Sequence, residues 1–230
     1  MPTPLSASGI VRGAADALAP LADPARAGPM AVYMRDRFAF LGIPTPVRRA
    51  ATRELIKRAR AKADQADLLA SAQSLWRKAQ REYHYVAVDL LAACEQRLTP
   101  HALPVVALLV TTQSWWDTVD GLAAHVVGPL VARHVLLRGM LDAWSSDENL
   151  WLRRTAILHQ LRYGGRTDAR RLFAYCVANA DDPDFFIRKA IGWALRQYAY
   201  TDPQAVRSFL RAEQERLSPL SLREAGKHLS

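Results

Sequence analysis

The chain has 230 residues, 31 lysines and arginines against 22 acidic residues, and a formal net charge of +9. Half of its residues are hydrophobic and 23% are charged, a globular balance that excludes wholesale disorder. No apolar run approaches the ~20 residues that span a bilayer, and two cysteines, Cys94 and Cys176, cannot build a disulfide framework. Residues 1–20 carry one arginine and only short apolar stretches, unlike a secretory signal. The expected setting is cytoplasmic, with no membrane association, and the charge favours a polyanionic partner.

Residues 1–29 are rich in Ala, Pro, Ser and Gly, and read as an N-terminal tail or a short helix. From Met30 onward apolar residues recur at three- and four-residue steps, the period of an amphipathic helix. Breakers at 42–46, 99–104, 128–129, 145–147, 164–167, 181–184, 202–203 and 218–219 cut the chain into helices of about 10–17 residues. Thr45-Pro46 fits an N-cap followed by the first helical residue, and Ser114-x-x-Asp117 resembles a capping box. No strand pattern competes, so the fold class is all-α. Eleven or twelve short helices suit a stack of antiparallel pairs, with residues 30–230 as one domain. Such a stack offers a concave surface to a rod-like ligand.

The charge is uneven. Residues 48–62 hold Arg48, Arg49, Arg53, Lys57, Arg58, Arg60 and Lys62 against Glu54 alone. Residues 98–145 hold Arg133 and Arg138 against Asp117, Asp120 and Asp142, and basic residues dominate again after 146. Polyanion binding needs a clustered footprint rather than a total.

Three helices depart from a simple amphipathic pattern. In 114–127, Trp115, Val119, Leu122 and Val126 form the apolar stripe at 100° per residue. Trp116 and Asp120, four residues apart, are neighbours at its edge, where Asp120 is either solvated or turned toward a ligand. In 149–162, Leu150, Ile157, Leu158 and Leu161 make the stripe and Arg154 falls inside it. A buried guanidinium needs an anionic partner, a carboxylate from another helix or a phosphate; Arg153 points away, to solvent. In 184–200, Ile187, Ile191, Ala194, Leu195 and Tyr198 face inward. Trp193 lies on the side of Lys189 and Arg196, a contact surface or the seat of the next helical pair.

Several segments together resemble a known family. They are Tyr33-Met34, FLGIP at 40–44, REY at 81–83, WWDTVD at 115–120, WLRRTAI at 151–157 and FFIRKAIGWALR at 185–196. The chain is similar over residues 30–228 to the AlkD-type DNA alkylation-repair glycosylases, built of HEAT-like repeats. The resemblance implies a HEAT-like solenoid with a concave basic DNA-binding surface. It also implies a monofunctional hydrolase that removes cationic N3- and N7-alkylated purines such as 3-methyladenine and 7-methylguanine. Motif position puts the catalytic set on Asp120, Trp116, Trp193 and Arg154, and DNA-backbone contacts on Thr45, Arg162, Lys189 and Arg196.

The expected partner is duplex DNA containing alkylated purines, bound by a monomer that associates with the nucleoid. No cofactor and no metal is expected, since the six histidines show no ligand spacing and no Gly-rich phosphate loop occurs. The alternatives are a non-catalytic helical-repeat protein binding DNA or branched nucleic-acid structures, and a scaffold for an acidic protein.

Overall fold

A computed structural model of the chain describes residues 5–229. The fold is all-α: among the described residues the only β-type pairing is an isolated bridge between Ala39 and Gln80. The helices divide into two compact units, Met1–Val105 and Val106–Ser230.

In the first unit, α1 (Ala7–Leu18) starts at Ser6, whose hydroxyl accepts the Gly9 N–H. Its Ile10, Ala14 and Leu18, one every four residues, are fully buried, against α3 (Thr45–Lys62) and α4 (Gln65–Trp76). The Ala- and Ser-rich start of the chain thus supplies a packed helix. A second helix, α2 (Pro24–Tyr33), precedes α3 and is capped by Asp23.

The strongly basic α3 buries only Arg48, Thr52 and Ala59 and exposes Arg49, Arg53, Lys57, Arg58, Arg60 and Lys62. It begins one residue earlier than the Thr45-Pro46 reading: Pro44 is the N-cap and Thr45 the first helical residue, within the usual scatter of helix ends. The approach to it is held by Glu82 at the start of α5 (Arg81–Ala93). That wholly buried carboxylate accepts the backbone N–H groups of Leu41, Gly42 and Ile43 at 2.9, 2.9 and 3.1 Å. A buried charge with three donors is compensated in a way a lone one is not.

The division between the units falls within α6 (Leu103–Thr111). The second unit continues with α7 (Trp116–Leu122), a five-residue π turn (Ala123–Val127) and α8 (Gly128–Arg133). After these come α9 (Arg138–Trp144), α10 (Leu150–Leu158), α11 (Ala169–Ala178), α12 (Phe185–Ala199), α13 (Pro203–Ala212) and α14 (Pro219–Gly226). Asn149, Asp168, Asp184, Asp202 and Ser218 cap the helices that follow them by accepting backbone N–H groups.

Two local expectations change here. Ser114 does not cap α7: the N-cap is Trp115, without a side-chain bond, because the Ser114 hydroxyl donates to the Val110 carbonyl at 2.7 Å. Gly128-Pro129 does not break the chain either. Proline is harmless in the first turn of a helix, and α8 starts there directly from the π turn.

Candidate active site

The Trp115 stripe is buried as its spacing requires: Trp115, Val119, Leu122 and Val126 are at most 7% exposed. This leaves Trp116 and Asp120 at the edge of α7, where Trp116 is half-buried. On α10, Leu152, Ala156, Ile157 and Leu158 are buried, and so is Arg154. Because α10 packs against both α7 and α12, the Arg154 side chain has two helices within reach.

Arg154 uses that position fully. Its Nε and Nη2 donate to the two carboxylate oxygens of Asp120, each at 2.7 Å, and its Nη1 donates to the Phe186 carbonyl in the first turn of α12. The Arg154 side chain is 4% exposed and that of Asp120 14%. Two parallel charge-assisted bonds to a planar fork are the strong, directional form of an ion pair. Burial pushes the Asp120 carboxyl above its ordinary value, and the Arg154 guanidinium pulls it the other way. The arrangement is a carboxylate–guanidinium pair held in a poorly solvated place.

An aromatic cluster gathers at the N-terminal ends of α7, α10 and α12, and its Phe186 ring centroid lies 5.9 Å from the Arg154 guanidinium carbon. Trp115, Trp151 and Phe186 form a mutual cluster with centroids 4.9–5.9 Å apart, and exposed Phe185 packs edge-on against Phe186. On α12, Trp193 follows Phe186 by two turns and so lies about 20° from it around the axis. Lys189 and Arg196 lie within the same ~80° arc. The half-buried Trp193 is therefore on the helix face that begins at the Arg154 contact.

Both cations flanking Trp193 end on one carboxylate. Lys189 Nζ is 2.8 Å and Arg196 Nη1 2.6 Å from Glu224 of α14, and Lys227 Nζ is 2.7 Å from it. These partners pull the Glu224 carboxyl down to about 2. Exposed Arg162, just beyond α10, donates to His125 Nδ1 at 2.5 Å; His125 projects from the π turn. Exposed Thr45 opens α3 in the first unit.

Arg153 is not the solvated residue its wheel position suggests. It is 18% exposed, paired with Asp182 at 2.7 Å, and donates to the carbonyls of Asp147 and Glu148. The α10 start and the loop before α12 close over it, which a single-helix projection omits. The sequence reading also missed Phe186, His125, Glu224 and Lys227. Only Phe186 carried a signal, as the second of two adjacent aromatics opening a helix beside Asp184.

The second unit thus holds a buried carboxylate–guanidinium pair, an aromatic cluster and three cations gathered on one carboxylate. The matches are specific. Residues 14–229 match the model of the DNA alkylation repair enzyme family. A solved structure described as a predicted DNA alkylation repair enzyme from Enterococcus faecalis superposes with a TM-score of 0.84 at 34% identity, over 90% of this chain and 96% of that one. No curated protein matches. The chain belongs to the DNA alkylation repair enzyme family. The family name implies a DNA substrate, and no described helix is long and apolar enough to cross a membrane.

Proposed function

We propose that this protein is a monofunctional DNA glycosylase that hydrolyses the N-glycosidic bond of purines alkylated at N3 or N7 in duplex DNA. The observation that carries the reading is the Asp120 carboxylate, 14% exposed and fixed at both oxygens by Arg154. A carboxylate placed among phosphates weakens DNA binding, so its presence calls for another use.

A purine alkylated at N7 or N3 carries positive charge, so its bond to C1′ breaks without a general acid. The bond's electron pair goes to the base, which leaves neutral, and the sugar becomes an oxocarbenium ion. Asp120 stabilises that cation and orients a water. The water oxygen bonds to C1′, and the released proton passes to Asp120 and then to solvent. Preorganised charge of this type is worth ~3–4 kcal/mol where one such group has been removed from other enzymes. Trp116 and Trp193 flank the deoxyribose, exclude water and offer π faces to the cation.

Arg154 serves twice. It holds Asp120, and the N–H groups it does not use on Asp120 and Phe186 meet a backbone phosphate next to the lesion. Thr45, Arg162, Lys189 and Arg196 bind further phosphates, and the N–H groups at the α3 start favour an anion. Recognition through the backbone asks for no pocket around the base, so bulky adducts are accepted together with methyl groups. The protein acts as a monomer.

The test is release of 3-methyladenine or 7-methylguanine from methylated duplex DNA at saturating enzyme. Release is expected. Intact DNA binding with no release would leave the non-catalytic reading in its place.

A further inference from the structure

We propose that Glu224 is the positioning residue of a DNA-phosphate clamp formed by Lys189, Arg196 and Lys227 beside Trp193; this rests on the DNA-binding reading above. Glu224 belongs to α14 and Lys227 is its C-cap, in a segment that no motif of the sequence reading used. The Glu224 side chain is 5% exposed, whereas Lys189, Arg196 and Lys227 are 38%, 22% and 46% exposed. The carboxylate therefore lies beneath the three cations, and their outer sides face solvent.

The geometry suits a phosphate. Lys189 and Lys227 share one Glu224 oxygen and Arg196 takes the other. The two ammonium groups are thus no more than twice a hydrogen-bond length apart, a gap that one phosphate group bridges. One carboxylate neutralises one of the three charges and leaves a local excess of two. Each ammonium keeps two further N–H groups and Arg196 keeps most of its fork. Without Glu224 the three like charges repel and separate.

The packing of α14 on α12 shows how the carboxylate is held there. A Cβ on Gly192 would meet the Glu224 Cβ at 2.5 Å and the Ser221 carbonyl oxygen at 3.0 Å, so the two helices touch backbone to backbone. The Ser221 hydroxyl donates to the Arg188 carbonyl at 2.9 Å. Gly192 immediately precedes Trp193, so α14 sets the cations and the Trp193 stretch of α12 together.

The test is the affinity of the full chain for undamaged duplex DNA across a potassium chloride series, for wild type, Glu224→Gln and Lys227→Gln. Each phosphate contact contributes about 0.9 to the slope of log affinity against log salt. Lys227→Gln is expected to lower the slope by about that amount. Glu224→Gln adds a positive charge to the protein, so simple electrostatics makes binding tighter and steeper. The clamp makes the opposite forecast, roughly threefold to tenfold weaker binding with a shallower slope.

A merely structural Glu224 would lower the melting temperature and leave the slope at its wild-type value, which would overturn the proposal. Tighter, steeper binding by Glu224→Gln would do the same. If Glu224→Gln does not fold, Lys227→Gln decides alone, and an unchanged slope overturns the clamp. Base release by wild type is read in parallel. Its absence removes the glycosylase reading without touching the clamp, and release with an unchanged Lys227→Gln slope does the reverse.

Discussion

Asp120 is a carboxylate in a cationic chain, and its neighbours determine what it can do. Arg154 occupies both of its oxygens, so the two residues act as a unit and substitution of either has a structural and a chemical part. Removing one partner of a buried ion pair costs about 3–5 kcal/mol because the other charge is stranded. Asp120→Ala is expected to lose stability in that range in urea denaturation. Asp120→Asn keeps one acceptor for Arg154 and is expected to fold, yet to release methylated bases at least ~100-fold more slowly, the order seen when one preorganised electrostatic group is lost. A folded Asp120→Asn protein with the wild-type rate would remove Asp120 from the mechanism.

Two other residues contribute to the response to acid. Burial holds the His159 imidazole down to about 4, against 6.5 for the free side chain. The unfolded state therefore takes up that proton first, and stability falls as pH drops from about 6.5 toward 4. The Glu224 carboxyl is held at about 2, against 4.5. Its ion pairs contribute fully above about 4.5, and that contribution is lost as pH falls toward 2. Melting temperature is expected to decline in two overlapping stages, with Glu224→Gln weakening the more acidic one, which the lowered carboxyls of Asp142 and Asp168 beside Arg171 share. A single decline starting below pH 4.5 would contradict the His159 part.

At the scale of the element, the stretch from α7 to α8 departs most from a simple helix. The π turn Ala123–Val127 adds a residue per turn immediately after Asp120 and Leu122, and it turns His125 outward toward Arg162. The Gly128 that follows lies against α10, where a Cβ would come within 2.2 Å of the His159 carbonyl oxygen, and the Gly128 carbonyl accepts from the Tyr163 hydroxyl at 2.7 Å. Gly128→Ala is expected to push α8 off α10 and cost about 1–3 kcal/mol, the range for overpacked sites, measured by urea denaturation. Because α10 carries Arg154, base release is expected to fall with it. Wild-type stability in that variant would show that the contact relaxes freely.

The helices were legible in the sequence to the degree that their causes are local. The breakers at 181–184, 202–203 and 218–219 fall where α12, α13 and α14 begin, and the Trp115 stripe follows from spacing alone. The α-helices nevertheless outnumber the eleven or twelve expected, because α1 and α2 lie in a segment with weak periodicity and the stretch after Ser114 divides around the π turn. The Ser114 cap failed for a related reason: a serine hydroxyl has a competing acceptor one turn back, and composition does not say which it takes.

At the scale of the whole molecule, the charge gives the clearest expectation. The exposed arginines and lysines of α3 and the Lys189, Arg196 and Lys227 group of the second unit together predict a steep salt dependence of DNA binding. An affinity for undamaged duplex that falls at least ~100-fold between 50 and 200 mM salt is expected for several phosphate contacts. A flat profile would favour a scaffold for an acidic protein over a DNA-binding enzyme.

The sequence by itself determined the all-α class, the buried Trp115 stripe and the resemblance to a repair family now shown by the family match. It also required that Arg154 have an acceptor, since a guanidinium inside an apolar stripe cannot shed its charge. Which acceptor was decided only by tertiary structure. Asp120 lies 34 residues away and the Phe186 carbonyl 32, and both arrive only because α10 packs between their helices. Glu224, 28 residues beyond Arg196, gave no sign at all, because a glutamate near the end of a polar helix has the pattern of a solvated one. Periodicity reports how a helix meets its surroundings on average. The partner of a buried charge depends on which helix those surroundings are, and packing alone supplies that.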